Sequence, residues 1–236
     1  MKQAVIIVAG GKGTRMGSDV PKQFMSINGK PILMHTLTRF HLYNAHIQII
    51  LVLPKDQQEY WKALCNEHKF HIEYTLADGG ETRFHSVKNG IEKVKDNIEL
   101  IGVHDGVRPF VSNDVIEQCY QTAAISGAAI PVIDMHETLR HICQRTNNAK
   151  EALSGKKSIS ETSVTVPRAE YKLVQTPQVF SSSILRAAYS QPYTERFTDD
   201  ASVVESAGHD ITLVPGNREN IKITTPYDIK IAGSLV

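Results

Sequence analysis

The chain has 236 residues, and its 26 Lys and Arg against 25 Asp and Glu give a formal net charge of +1. Hydrophobic residues make up 41% of the chain, an ordinary globular composition that excludes disordered, collagen-like and disulfide-rich proteins. The balanced charge lacks the basic excess of a nucleic-acid or membrane binder, so we expect neither partner. Three widely spaced cysteines without a CxxC pair, and an amino terminus unlike a signal peptide, predict a soluble cytoplasmic protein.

Strand-like and helix-like segments alternate along the chain. β-branched apolar runs predict strands at residues 4–8, 47–53, 72–76, 100–104, 128–133 and 211–214. Helical spacing of apolar residues predicts helices at residues 32–40, 57–66, 83–94 and 113–126. An Asn or Asp at the start of the fourth helix is its predicted N-cap.

This alternation is typical of βαβ units, and it predicts an α/β protein with a doubly wound, mainly parallel sheet. Such sheets bind ligands at the carboxyl ends of their strands. The loops after Val8, Leu76 and His104 are therefore the expected places for a site.

Residues 135–167 interrupt the alternation. They are polar and rich in Lys, Asn, Ser and Thr, with short β-like pieces at 138–143 and 163–166. Because structureless loops of this length are uncommon in compact domains, we interpret the segment as a flexible lid or as a protruding β-hairpin that contacts another subunit. With no repeat or linker to mark a second core, a single domain over residues 1–236 is predicted.

A glycine-rich loop follows the first strand, with the sequence Ala9-Gly10-Gly11-Lys12-Gly13-Thr14-Arg15-Met16-Gly17. It matches neither the Walker pattern nor the dinucleotide pattern G-x-G-x-x-G. Lys12, Arg15 and Lys22 place three cations in this region. A plain glycine turn needs none of them, whereas glycine amides with clustered cations favour a polyphosphate.

Several motifs together resemble a known family. The loop at residues 10–16, followed by Pro21-Lys22-Gln23, resembles the signature loop of sugar-phosphate nucleotidyltransferases, and the Pro-Lys-Gln ending is typical of their cytidylyltransferase branch. The other motifs that agree are Gly79-Gly80 with Arg83 and Ser86, residues 104–110, 175–178, 198–202 and 220–226. They cover essentially the whole chain in order, and the resemblance implies a Rossmann-like nucleotidyltransferase sheet with a protruding β-arm.

The resemblance implies Mg²⁺-dependent transfer of a cytidylyl group from CTP to a sugar-alcohol phosphate, with release of pyrophosphate. The acceptor that it implies is 2-C-methyl-D-erythritol 4-phosphate, in non-mevalonate isoprenoid precursor synthesis. Ribitol 5-phosphate is the alternative acceptor, and a non-catalytic nucleotide-binding module is the alternative of another class. Since the attacking phosphate oxygen is already ionised, positioning and charge neutralisation are expected to dominate catalysis.

The residues implied as catalytic are Arg15, Lys22, Lys222 and Arg168. Arg15 and Lys22 would hold the triphosphate, and Lys222 would reach the α-phosphate. The plainer interpretations are surface solubility for Arg15 and Lys22, and an exposed strand-end lysine for Lys222.

The residues implied in nucleotide binding are Ala9, Gly10, Gly11, Gly13, Thr14, Gly80, Glu81, Ser86, Asp105 and Gly106. The Ala9-Gly10 backbone and Gly80-Glu81 would read cytosine, together with Ser86, which is equally well explained as a first-turn helix residue. Asp105 is the implied Mg²⁺ ligand, because that ion prefers oxygen, although Asp-Gly is also a common turn. Glu219 stands where many relatives carry Asp, so a second metal ligand stays open.

The residues implied in acceptor binding are Thr138, Arg108, Arg168 and Thr198. In the resembling enzymes, the arginine at the position of Arg168 extends from a β-arm into the neighbouring active site. The resemblance therefore implies a homodimer with shared sites and with residues 135–167 as its dimerisation arm. Thr198-Asp199-Asp200 would also suit a helix N-cap.

Overall fold

The computed structural model describes residues 1–10, 20–143 and 162–235. The chain forms two compact units, one of Met1–Val132 with Val174–Val236 and one of Ile133–Leu173. The loop residues Gly11, Gly13, Thr14 and Arg15 lie outside the described residues. No helix of the described ranges is both long and apolar enough to cross a bilayer.

The strands in chain order are β1 (Gln3–Val8), β2 (Ser26–Ile27), β3 (Lys30–Pro31), β4 (Gln48–Leu53), β5 (Thr75–Asp78), β6 (Leu100–Asp105), β7 (Ala128–Asp134), β8 (Arg140–Cys143), β9 (Thr162–Thr165), β10 (Lys172–Val174), β11 (Gln178–Ser181) and β12 (Thr212–Pro215). The α-helices are α1 (Ile32–Tyr43), α2 (Gln58–Glu67), α3 (Arg83–Glu92), α4 (Asn113–Ser126), α5 (Ser182–Ala188), α6 (Asp200–Ser206) and α7 (Pro226–Gly233).

The larger unit is built on a mostly parallel sheet. Its strands follow the order β7-β11-β6-β1-β4-β5, with β12 beside β7. Strand β1 pairs in parallel with β4 and β6, and β4 pairs in parallel with β5. Strand β11 is antiparallel to both β6 and β7. The predicted doubly wound α/β sheet is confirmed, with one antiparallel strand in its interior.

Alternation along β1 builds a core on each face of this sheet. Val5 and Ile7 pack into one apolar cluster, and Ala4 and Ile6 into the other. All four are fully buried, as expected for a strand that helices cover on both sides. Trp61 on α2 lies in the first cluster, where its Nε1 donates to the Tyr74 hydroxyl at 2.9 Å.

Two local predictions need correction. The N-cap of α4 is Ser112, which accepts from the Val115 amide, and not the Asn or Asp that follows it. The third strand begins at Thr75 instead of residue 72, because its ladder with β4 starts where Thr75 meets Ile50.

The smaller unit contains an antiparallel pair, β8 with β9. The Arg140 guanidinium donates to Ser163 and to the Thr165 hydroxyl across this pair. Strand β8 lies within the predicted β-like piece 138–143, and β9 overlaps the piece 163–166 but begins one residue earlier. That residues 135–167 form a dimerisation arm, and that the chain is a single domain, stay predictions.

Candidate active site

A cavity of about 490 Å³ opens where the parallel strands of the larger unit end. Strand β1 leads into Ala9 and Gly10, the loop after β5 contributes Gly80 and Glu81, and β6 contributes Asp105. Because Val8 pairs with Asp105 across the sheet, the first loop and the carboxylate lie side by side. The structure thus brings these sequence-predicted residues to one edge of the sheet.

Asp105 lies at the centre of a cluster of positive charges. Its Oδ2 is 3.1 Å from Arg108 Nε and 3.1 Å from Lys222 Nζ, and its Oδ1 is 4.0 Å from Arg83 Nε. Burial raises the pKa of the Asp105 carboxyl, but Arg83, Lys222 and Arg108 lower it by more, so this pKa lies well below its ordinary value. The carboxylate is therefore ionised, and the surplus of cations favours an anionic ligand.

Hydrogen bonds beneath Asp105 hold its backbone in place. The Asp105 amide donates to Thr176 Oγ1 at 3.1 Å, and that hydroxyl lies 3.0 Å from His104 Nδ1. His104 Nε2 lies 2.9 Å from the Arg108 carbonyl oxygen, which can only accept, so Nε2 carries the proton. Burial lowers the pKa of His104 to about 4. His104 is a neutral structural residue under the loop.

Lys222 reaches Asp105 from an irregular segment near the carboxyl terminus. The Ile223 amide donates to the Val107 carbonyl at 3.0 Å, and Arg108 Nη1 donates to the Asn220 carbonyl at 2.8 Å. The Asn220 side chain donates to the Thr176 carbonyl at 2.8 Å. These bonds tie the segment to the loop after β6, so a stretch without regular secondary structure places its lysine at a defined position.

The loop after β5 is shaped by Ser86 and Gly80. Ser86 Oγ accepts from the Gly80 amide and donates to the Thr82 carbonyl, both at 3.0 Å. A Cβ on Gly80 would lie 2.4 Å from His85 Cβ, so only glycine lets the loop approach α3 this closely. Because the Ser86 hydroxyl donates its proton to the Thr82 carbonyl, the main role of Ser86 is to shape the cavity wall.

The first loop is held by a residue to which the sequence assigned no role. Gln23 is buried, and its Nε2 donates to the Ala9 carbonyl at 2.9 Å and to Gln57 Oε1 at 2.6 Å. Gln23 follows Lys22 in a short 3₁₀ turn, and both line the cavity. The Pro-Lys-Gln motif therefore supplies a cation and a buried amide that supports the loop.

Arg83 is the second residue that sequence reasoning left without a role. Its Nη1 and Nη2 donate to the two oxygens of Asp200 at 3.0 and 2.6 Å, while its side chain lines the cavity. The pair joins residues 117 positions apart, so no local spacing signals it. The presence of both residues in the quoted motifs was the available clue.

The remaining predicted residues lie elsewhere. Gly106 packs under β1, its amide donating to the Val8 carbonyl at 2.9 Å. Thr198 is exposed next to Asp199, which caps α6 in a capping box with Ser202. Glu219 accepts from Asn217 and lines a different cavity, so a second metal ligand from this residue is not found.

Two predicted acceptor residues belong to the smaller unit. Thr138 is exposed there, and Arg168 is exposed with its Nη1 donating to the His136 carbonyl. Arg168 therefore contacts the segment that leads into β8.

The donor set around Asp105 fits Mg²⁺ delivered with a nucleotide. In the ranges that the structure describes, no three His, Cys, Asp or Glu side chains are grouped to hold a metal. Mg²⁺ usually takes one or two protein carboxylates and completes its shell with phosphates and water. One buried, ionised aspartate beside a cavity satisfies that requirement.

Fold and site together define a nucleotide-binding α/β protein whose pocket suits a small polyanion. A family model described as "IspD: 2-C-methyl-D-erythritol 4-phosphate cytidylyltransferase" matches residues 3–236. The chain belongs to that family.

Comparisons with individual proteins support this family assignment. A protein of Bacteroides thetaiotaomicron named 2-C-methyl-D-erythritol 4-phosphate cytidylyltransferase is 58% identical, with all of both chains covered. The solved structure of a Francisella tularensis enzyme of that name is 30% identical with a TM-score of 0.77, again over all of both chains. The Thermus thermophilus structure of that name is 29% identical with a TM-score of 0.75, over 100% of this chain and 98% of the other.

Proposed function

We propose that this chain transfers the cytidylyl group of CTP to 2-C-methyl-D-erythritol 4-phosphate and releases pyrophosphate, a step of non-mevalonate isoprenoid precursor synthesis. The observation that carries the proposal is the charge cluster at Asp105, found at a cavity that the family's motifs line. High identity over the whole chain favours this acceptor over ribitol 5-phosphate.

The reaction asks for charge control more than for proton transfer. An oxygen of the acceptor phosphate forms a bond to the α-phosphorus of CTP, and the bond from that phosphorus to the β-phosphate bridging oxygen breaks. The nucleophile is already an anion at neutral pH, so no general base is needed. Lys22 and Lys222 line the cavity and are suited to neutralise the triphosphate and the departing pyrophosphate. Arg15 is proposed to assist them.

The cytosine is proposed to bind between the loop after β1 and the loop after β5. Gln23 and the Val52 carbonyl fix both polar groups of the Ala9 backbone. Ser86 fixes Gly80 on the opposite wall. Backbone groups in such rigid loops can match the amine and carbonyl of cytosine while the narrow space disfavours purines.

Asp105 is proposed to hold Mg²⁺. When bound, the ion supplies charge neutralisation on the phosphates of CTP. Asp105 is kept ionised and fixed by its neighbours for that purpose. Replacing MgCl₂ by EDTA in the assay should abolish turnover, and full turnover in EDTA would contradict the metal's role.

The acceptor is proposed to lie between Arg108, Thr198 and residues of a second subunit. Arg168 and Thr138 are exposed on the smaller unit, which supports a role in reaching another chain. A guanidinium can clamp the acceptor phosphate with two parallel hydrogen bonds. A homodimer with shared sites in the cytoplasm, where CTP is available, is the state we propose.

A direct assay separates the candidates. The protein is incubated with CTP and MgCl₂ plus either 2-C-methyl-D-erythritol 4-phosphate or ribitol 5-phosphate, and pyrophosphate is measured. Release with the first acceptor supports the proposal. Release with ribitol 5-phosphate alone would change the substrate, and binding of CTP without release in either case would indicate a non-catalytic module.

A further inference from the structure

The guanidinium of Arg83 faces two carboxylates and is committed to one of them. Its two terminal nitrogens donate to Asp200 in a fork at 3.0 and 2.6 Å, whereas its Nε lies 4.0 Å from Asp105 Oδ1. The Tyr189 hydroxyl donates to Asp200 Oδ1 at 2.6 Å. Paired hydrogen bonds of this kind hold the guanidinium plane in one orientation.

Asp200 is a rigid anchor. It is 0% exposed, so its charge cannot leave the arginine without a large desolvation cost. It is the first residue of α6, whose start is fixed by the capping box of Asp199 and Ser202. The Ala201 amide donates to Gln178 Oε1 at 2.8 Å, which ties this turn to strand β11.

The anchor leaves one oxygen of Asp105 available. Oδ2 pairs with Arg108 and Lys222, while Oδ1 accepts no hydrogen bond from the part of the chain that the structure describes. Arginine–carboxylate pairs are frequently bidentate, with two nitrogens donating to the two oxygens. Arg83 does not, because Asp200 already occupies the fork.

We propose that Asp200 is a positioning residue: by anchoring Arg83, it keeps Oδ1 of Asp105 free for the divalent cation that accompanies the nucleotide. The inference rests on the proposed function, in which CTP and Mg²⁺ enter this cavity. It adds Arg83 and Asp200 to the site, with Arg83 as a fixed charge at the cavity wall. Without Asp200, the fork of Arg83 turns to Asp105 and competes with the cation.

Calorimetric titration of CTP tests this directly. The dissociation constant of CTP is measured once in EDTA and once in MgCl₂. The magnesium effect is defined as the value in EDTA divided by the value in MgCl₂. In Asp200→Asn the magnesium effect should fall about tenfold relative to the unmodified protein, because Arg83 captures Asp105. Tyr189→Phe is the matched control. It removes one hydrogen bond to Asp200 but leaves the fork, so the magnesium effect should stay unchanged.

A double variant separates positioning from general support of the fold. Arg83→Gln with Asp200→Asn removes both charges and leaves no fork to capture Asp105, so the magnesium effect should return to within about threefold of the original. A purely structural role predicts a double variant at least as impaired as Asp200→Asn. Loss of the magnesium effect in the double variant overturns the proposal, even where Asp200→Asn itself does not fold.

Pyrophosphate release by the unmodified protein is measured in parallel. Absence of turnover would overturn the proposed function. Turnover together with the same magnesium effect in Asp200→Asn and the unmodified protein would overturn the positioning role alone.

Discussion

At the scale of single residues, Asp105 determines the character of the site. It is nearly buried, and such a carboxyl would take up a proton without nearby cations. Arg83, Arg108 and Lys222 reverse that tendency. Of these, Lys222 has the most exposed side chain, at 42%, so it can turn from Asp105 toward an arriving phosphate.

Replacing Lys222 by alanine should therefore damage the chemical step. We expect Lys222→Ala to lower kcat by about 100-fold or more, because one positive charge is lost where negative charge develops. Steady-state pyrophosphate release measures this, with circular dichroism to confirm folding. Lys62→Ala, which removes an exposed lysine paired with Glu59 on α2, is the control. Equal kcat values for the two variants would contradict the role of Lys222.

Sequence reasoning identifies the charged residues of this site better than their supports. Motifs predict Lys22, Asp105 and Lys222, and all three line the cavity in the structure. Gln23 and Arg83 belong to motifs but carry no role that the sequence reveals. Their functions depend on partners far along the chain, such as Asp200 for Arg83, and such pairs become visible only once the chain is folded.

At the scale of elements, the site depends on how closely loops approach the helices that follow them. The loop after β5 passes α3 so tightly that a Cβ on Gly80 would lie 2.8 Å from the His85 backbone carbon. Backbone cannot give way as a flexible side chain can. The loop after β5 can therefore take this position only because Gly80 has no side chain.

Gly80→Ala should displace this loop and weaken nucleotide binding. We expect the KM for CTP to rise about tenfold or more, with a smaller change in kcat, because the cavity wall moves while the charge cluster stays. Gly233→Ala is the control, since a Cβ there meets only Asn28 Oδ1 at 3.9 Å. An unchanged KM for CTP in Gly80→Ala would show that the loop does not shape the binding site.

Local sequence patterns predict some of the strands and helices but not others. The apolar run of β1 and the periodicity of α4 predict elements that the structure contains. Strand β11 escapes prediction, because four residues inserted antiparallel between β6 and β7 have no signal of their own. Helix α6 is signalled only by a possible cap at residues 198–200. Sheet order is a property of tertiary pairing, which spacing along the chain does not encode.

At the scale of the whole molecule, the proposed homodimer with shared sites predicts a result that separate sites would not give. Lys22→Ala and Arg168→Ala homodimers should each be nearly inactive. After subunit exchange, half of the dimers are mixed, and one of the two sites in each mixed dimer is intact. Activity should therefore recover to about a quarter of the original. Exchange is verified by native mass spectrometry, and no recovery in exchanged dimers would place Arg168 in its own subunit's site.

The buried core predicts instability in alkali. Burial raises the pKa of the Cys119 thiol and of the Tyr74 hydroxyl to about 12, and it raises the pKa of Tyr120 well above its ordinary value. Because the folded state holds these protons longer than the unfolded chain does, their contribution to stability is complete below about pH 9 and falls as pH rises from about 9 to about 12.

Urea unfolding under reducing conditions from about pH 8 to about pH 11 measures this loss. The pKa of Cys119 is raised from its ordinary value of 9.0 to about 12. By about pH 12, this group alone should lower the free energy of unfolding by on the order of 4 kcal/mol. Cys119→Ala should be less stable at about pH 8 but show a shallower decline above about pH 9. The same decline in both proteins would contradict the assignment.

We expect the charge cluster at Asp105 to join CTP to 2-C-methyl-D-erythritol 4-phosphate. Phosphorus NMR of the protein with both compounds and MgCl₂ follows every phosphorus atom of the reaction. The CTP signals should be replaced by those of pyrophosphate and of a new diphosphate diester, in equal amounts. Unchanged CTP, or formation of the diester with ribitol 5-phosphate in place of 2-C-methyl-D-erythritol 4-phosphate, would contradict it.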